Sequence, residues 1–460
     1  MNMWELDYPF GFITGAVIDR VPSHFVRHKF PISLFTHPRT PVNIHQLEYQ
    51  AVAIVGSPVD PDNPMQKVVD IAAQLCSAPS KSQDIIDRLV GRFAIIQGTL
   101  TSGFDIQNDA TGMRSVYFDT TYLSTIAGSH AALVADAAKN LDKRRSPIRF
   151  ALGYPGLATP WKTVDRLPPN HKLSLQSGEL SRFLPTRALR NISIEDAWNN
   201  ALRISERSAH GLRERHPLLM SLTAGLDSRT TLTGVRPLWP EIKFFTYTNG
   251  SPKHELDVRV AKSIARRLDL DFTVLDYSDK VYDPKVMYAI NRNTFGSHQH
   301  KLSAAYLQMF GEMRALHIRT NVLEITRSNL FSMGNQKFRD GPNTAKNLAS
   351  YYAASGRLEE IPAYLSAFTD YFNKTGLHDV PPSVSRWDLF FIEHRMGAWH
   401  SGVLEESDIA FDTTILFNSR QVIESFMAVP ERERSDNGIL QRIISQKLPE
   451  ISDIPINPKI

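Results

Sequence analysis

The sequence predicts an α/β protein of two domains, and three observations carry that reading. From His216 to Leu275, apolar runs of strand length alternate with segments of helical spacing, the order that builds a parallel sheet with ligands at the carboxyl ends of its strands. Residues 1–190 instead hold mostly short strand-like runs separated by turns. The chain has 460 residues, 42% of them apolar, enough to bury more than one core, and the pattern changes near residue 190.

In the first block, Phe10–Ile18, Gln50–Gly56, Gly91–Gly98 and Ser115–Asp119 read as strands, and Lys67–Ser77 and Ser82–Val90 as helices. Cys76 falls in the apolar pattern of the first helix and reads as a small core residue. In the second block, Ser193 followed by Asp196 signals a capped helix start. Leu218-Leu219-Met220 and Leu222 read as the apolar end of a strand covered on both faces. Lys243–Gly250 and Asp271–Leu275 are further strands. Leu256, Val260, Ile264 and Leu268 recur at helical spacing, which predicts a helix over Glu255–Leu268. Ala315–Thr320 is another candidate strand. Beyond about residue 340 long helical segments follow, with Glu393, Met396 and His400 placed on one α-helical face.

Lys and Arg number 52 against 48 Asp and Glu, and the net charge of +4 is scattered, which argues against nucleic acid as a partner. No run approaches the roughly 20 apolar residues of a membrane helix. The stretch Met1–Phe12 carries early acids and lacks the basic-then-apolar order of a signal peptide. A single cysteine excludes an internal disulfide and a thiolate zinc cluster. These features point to a cytoplasmic protein without a membrane partner.

The most informative stretch is Ser221 to Ser228, "SLTAGLDS". A strand that runs through Thr223-Ala224-Gly225 into a helix presents backbone N–H groups to an anion. No lysine follows the glycine, so it is not the nucleotide loop that ends in Gly-Lys-Ser/Thr. The stretch resembles the pyrophosphate loop Ser-Gly-Gly-x-Asp-Ser of the ATP-pyrophosphatase superfamily, in its asparagine-synthetase-like form, with Ala224 in place of a glycine. That resemblance implies ATP and Mg2+ as cofactors. Ser221, Thr223, Ala224, Gly225, Asp227 and Ser228 would then hold phosphate, Thr246, Tyr247 and Thr248 the nucleoside end, and Asp227 the metal. Asp257 is a candidate to orient the loop at the end of the strand Lys243–Gly250. Where the family carries a glycine-rich Asp-Glu loop, this chain has Asn321-Val322-Leu323-Glu324, so Glu324 becomes the second candidate metal ligand and Arg327 a candidate to face phosphate.

Residues 1–190 resemble the glutaminase-like αββα domain of asparagine synthetase, through Gly91-Arg92-Phe93-Ala94, the stretch Asp109 to Phe118, and Asp165 to Gly178. Glutamine-hydrolysing members use an N-terminal cysteine as nucleophile. Position 2 here is Asn2, so the resemblance implies a degenerate domain that does not release ammonia. The tail, through Asn418-Ser419-Arg420 and its proline-rich close, resembles members that join an activated carboxylate to an amine, such as beta-lactam synthetases and lasso-peptide cyclases. Lys459 falls at their acyl-transfer lysine. Glu393 with Tyr352, or alternatively Tyr351, are candidates for their base pair. The implied function is an AMP-forming amide synthetase over residues 191–460, acting on small-molecule or peptide carboxylates and amines and compatible with a homodimer. An ammonia-using synthetase, an ATP-pyrophosphatase acting on tRNA, which would call for a basic patch and reactive cysteines, and an inactive binding scaffold are the alternatives.

Overall fold

The computed structural model describes residues 2–145, 153–185, 188–296, 299–327, 343–353, 361–434 and 438–458. In the N-terminal domain the strands run β1 (Phe12–Gly15), β2 (Val26–Arg27), β3 (Ser33–Thr36), β4 (Val42–Gln46), β5 (Gln50–Gly56), β6 (Phe93–Thr99), β7 (Gly103–Asn108), β8 (Tyr117–Asp119), β9 (Ile126–Gly128), β10 (Val164–Arg166), β11 (His171–Ser174) and β12 (Leu180–Arg182). The helices are α1 (Val68–Ser77), α2 (Ser82–Arg88) and α3 (Ala131–Ala137). The strands form two six-stranded sheets, ordered β10-β8-β9-β1-β3-β2 and β12-β11-β7-β6-β5-β4.

Side-chain alternation along these strands sets the layers. Ala51, Ala53 and Val55 of β5 pack with Ala94 and Ile96 of β6 against Phe12 and Ala127 of the other sheet. The intervening Val52, Ile54 and Ile95 face outward onto Ile71 and Leu75 of α1 and Ile85 and Ile86 of α2. On the far side, Ile13, Tyr117 and Ile126 meet Ala131, Val134 and Ala135 of α3. The result is helix, sheet, sheet, helix. Cys76 is buried in the outer layer, its thiol donating to the Gln50 carbonyl at 3.3 Å.

The second domain opens with α4 (Ile194–Arg213), capped as its sequence predicts by the Ser193 hydroxyl accepting from the Asp196 N–H. There follow β13 (Leu218–Ser221), α5 (Leu226–Gly234), β14 (Ile242–Thr248), α6 (Pro252–Arg267), β15 (Phe272–Asp276), α7 (Pro284–Asn293), α8 (His300–Phe310), β16 (Leu316–Ile318), α9 (Ala345–Ala353), α10 (Ile361–Thr375) and β17 (Asp412–Thr414). The five strands pair in parallel in the order β15-β14-β13-β16-β17, with Leu218 opposite both Ile242 and Leu316. β13 is central and covered on both faces. Leu218 and Met220 join a core with Trp198, Ile204, Leu232, Val260 and Ile264, whereas Leu219 joins Ile290, Leu302, Tyr306 and Phe310. All strands therefore end on one edge, at Ser221, Thr248, Asp276, Ile318 and Thr414.

Two sequence expectations are corrected here. β16 is shorter than Ala315–Thr320, because past Arg319 the chain turns toward the 3-10 segment Leu323–Arg327. Phe391–His400 winds as a π-helix, whose wider turn separates Glu393 from His400: the former meets Arg182 and the latter Asn321.

Charge, unusually, fills the seam between the domains. The Arg92 guanidinium donates to Asp408 at 2.5 and 2.7 Å, and Arg114 to Asp412 at 2.8 Å. Asp109 gathers the N–H groups of Met113 and Arg114 at 2.9 and 2.7 Å and accepts from Asn418 at 2.8 Å, so the Asp109–Phe118 stretch shapes the seam locally. Each of these side chains is buried. Charges taken out of water persist only when paired and hydrogen-bonded, as these are.

Candidate functional site

The loop between β13 and α5 lies at the carboxyl edge of the sheet, where ligands of parallel α/β proteins bind. Ser228 organises it: its hydroxyl donates to the Thr223 carbonyl at 3.0 Å and accepts from the Thr223 N–H at 3.2 Å. The Gly225 N–H donates to the Thr223 hydroxyl at 3.3 Å. Gly225 is the helix N-cap with no side-chain cap, which leaves the opening N–H groups of α5 without a capping side chain. Ala224, where the resembled family has a glycine, fits because its methyl joins the core at 3% exposure. Its N–H donates to the Asp257 carboxylate at 2.5 Å, so Asp257 holds the loop, and burial raises the pKa of that carboxyl.

Asp227 and Glu324 come together, with Arg327 between loop and turn. Arg327 Nη2 lies 2.6 Å from Asp227 Oδ1 and 2.8 Å from Oδ2. Burial raises the Asp227 pKa and the guanidinium opposes the rise. Burial and then the Asp227 charge push the Glu324 carboxyl up to about 7. Glu324 Oε2 is buried with no hydrogen-bond partner among the described residues. Among the described residues no group of three or more His, Cys, Asp or Glu side chains is placed to hold a metal.

Along β14, Thr246 is 1% exposed and its hydroxyl has no hydrogen-bond partner among the described residues. The Tyr247 ring sits among Tyr277, Tyr306 and His254, with burial raising its pKa. Thr248 closes the strand end, donating to Glu255 at 2.5 Å and accepting from the Gly250 N–H at 3.0 Å.

The C-terminal segment runs beside the loop. Arg229 holds the carbonyls of Ile454 and Pro455 at 2.8 and 2.6 Å, and the Asn457 N–H donates to the Ala224 carbonyl at 3.3 Å. Lys459 lies outside the described residues, two positions past Asn457. Tyr352 belongs to α9, and its side chain is likewise outside the description. Glu393 lies at the domain boundary, where the Tyr371 hydroxyl, and not that of Tyr351, donates to its Oε2 at 3.4 Å. It is fully buried, with both oxygens forked by Arg182 at 2.6 and 2.8 Å and Asn170 donating at 3.1 Å.

Sequence reasoning missed two groups near the loop. His317, 1% exposed, places Nε2 3.2 Å from the Ser221 hydroxyl, and burial holds its pKa well below the usual histidine value. His400 meets the Asn321 amide at 2.6 Å, tying the π-helix to the turn that carries Glu324. A lone histidine in a strand carries no sequence signal of such a contact. A cavity of about 980 Å³ lies at the opposite, amino-terminal edge of the sheet, lined among others by Trp4, Arg39, His216, Tyr282 and Asp412.

No family model and no curated protein matches the chain. Among solved structures, the allosteric regulatory enzyme of purine biosynthesis aligns over 61% of this chain and 77% of its own, at 8% identity and a TM-score of 0.26. A glutamine phosphoribosylpyrophosphate amidotransferase from B. subtilis, complexed with ADP and GMP, aligns over 60% of this chain and 76% of its own, at 7% identity and a TM-score of 0.23. Both are distant structural similarities. No helix among the described residues is long and apolar enough to cross a membrane.

Proposed function

We propose that the protein is an ATP-dependent, AMP-forming amide synthetase whose nucleotide phosphates bind at Ser221–Ser228. The observation that carries this reading is the meeting, at one edge of a parallel sheet, of an uncapped helix start, two acidic side chains with an arginine, and the C-terminal segment. The free N–H groups at the start of α5 and the Thr223 hydroxyl would take phosphate oxygens. Asp227 and the unpartnered Glu324 oxygen fit a magnesium ion that takes its other ligands from phosphate and water, since that ion commonly uses only one or two protein carboxylates. Bound there, it would supply charge neutralisation.

In this reading a substrate carboxylate oxygen attacks the α-phosphorus, and the bond to the pyrophosphate oxygen breaks with its electron pair leaving on pyrophosphate. The amine then attacks the acyl carbonyl, the bond from the acyl carbon to the AMP oxygen breaks with its electron pair leaving on AMP, and the ammonium passes its proton to water. Arg327 and the helix start would stabilise charge on phosphate, and Lys459 would do so at the carbonyl. The N-terminal domain contributes its buried seam to positioning, and Cys76, held in the outer helical layer, is not its nucleophile.

Incubation with ATP, Mg2+ and panels of acids and amines tests the reading by product chromatography. AMP and pyrophosphate are the expected products, and ADP as the sole product would refute it. An ammonia-using synthetase shares this half-site and is distinguished by amide formation with ammonium alone. A binding scaffold is favoured by the engagement of Ala224 N–H with Asp257 and of Asp227 with Arg327. Nucleotide binding without acid-dependent turnover would establish that scaffold.

A further inference from the structure

We propose that Arg327 gates this site, so that a phosphate-type anion must enter before a divalent cation can. The inference rests on the anion-loop reading of Ser221–Ser228. One guanidinium nitrogen of Arg327 spans both oxygens of Asp227, at 2.6 and 2.8 Å. The two side chains keep 16% and 24% exposure, so the pair reaches solvent and is not sealed in the core. Glu324 is three residues earlier on the same 3-10 turn, and its buried Oε2 has no hydrogen-bond partner among the described residues. The two carboxylates that a cation would use are thus arranged about a guanidinium that neutralises one of them.

This arrangement makes the order of binding unequal. A dication arriving first must break a charge-assisted pair and then sit beside the displaced guanidinium, which repels it. An anion at the start of α5 offers the guanidinium new oxygens with matching planar geometry. Arg327 transfers to that anion, Asp227 is released, and the phosphate charge then draws the cation toward Asp227 and Glu324. Of the neighbouring charges, Arg229 is committed to the carbonyls of Ile454 and Pro455, and Asp257 to the Ala224 N–H.

The test uses the full chain with two probes kept apart: Mn2+ alone, followed by electron paramagnetic resonance, and inorganic pyrophosphate in EDTA, followed by calorimetry. Wild type is expected to bind pyrophosphate without metal and Mn2+ only weakly. Arg327→Met should bind Mn2+ at least tenfold more tightly and pyrophosphate at least tenfold more weakly, and adding Asp227→Asn should remove the gained Mn2+ affinity. Arg327→Lys, which keeps the charge, should retain weak Mn2+ binding, and Arg327→Gln repeats the comparison if the methionine variant does not melt cooperatively. Pyrophosphate binding by wild type with unchanged Mn2+ affinity in Arg327→Met and Arg327→Gln would overturn the gate while leaving the loop reading intact. Failure of metal-free wild type to bind pyrophosphate would overturn both.

Discussion

Arg182 and Glu393 form a two-pronged ion pair across the domain boundary, Nη1 to Oε1 at 2.6 Å and Nη2 to Oε2 at 2.8 Å, with the carboxylate fully buried. Removing one partner of such a pair strands the other charge, at a cost of about 3–5 kcal/mol. Glu393→Ala should lower the melting temperature by several degrees. The double variant Arg182→Met/Glu393→Met should recover part of the loss. A Glu393→Ala protein that melts like wild type, yet loses amide synthesis, would return Glu393 to the chemistry.

A pH prediction follows from Glu405, 4% exposed, whose carboxyl burial pushes up to about 7 and which accepts from the Tyr117 hydroxyl at 2.9 Å. Its pKa is raised on folding, so its favourable contribution is complete below about 4.5 and is lost as pH rises to about 7. At roughly 1.4 kcal/mol per unit the loss is about 3 kcal/mol. Glu405→Gln should therefore be more stable than wild type at pH 8 and show a flatter dependence of stability between pH 5 and 7. Denaturant melts across that range check it, and parallel curves for the two proteins would count against the assignment.

Asp257 is predicted to act on nucleotide binding through the loop backbone, since its carboxylate holds the Ala224 N–H. Hydrogen bonds to a charged group contribute about 1.5–3 kcal/mol. Asp257→Ala should weaken ATP binding by tenfold or more with little change in melting temperature, and Asp257→Asn should restore part of it. Unaltered ATP affinity in Asp257→Ala would remove the loop from the nucleotide site.

Asp227 and Lys459 should separate the two halves of the reaction. Asp227→Ala is expected to abolish acid-dependent pyrophosphate exchange and every later step. Lys459→Ala should keep exchange and slow amide formation about a hundredfold, close to 3 kcal/mol. Wild-type amide synthesis in Lys459→Ala would take that residue out of the mechanism.

What the sequence determined by itself is local. Strand, turn and helix around Ser221–Ser228, the Ser193 cap and the buried Cys76 follow from spacing and from side chains acting on their own backbone neighbours. The parallel sheet follows as well, because alternating strands and helices have few other ways to bury their apolar faces. Tertiary packing alone decided the pairings that give the site its character. Arg327 meets Asp227 across 100 residues, His317 meets Ser221 across 96, and Arg182 meets Glu393 across 211. No periodicity encodes such contacts: they arise where separate strands and helices converge, and burial then makes a charged partner obligatory. Glu393, a candidate base only through the resemblance, thus gains in the folded chain an arginine of the other domain that its sequence surroundings do not announce.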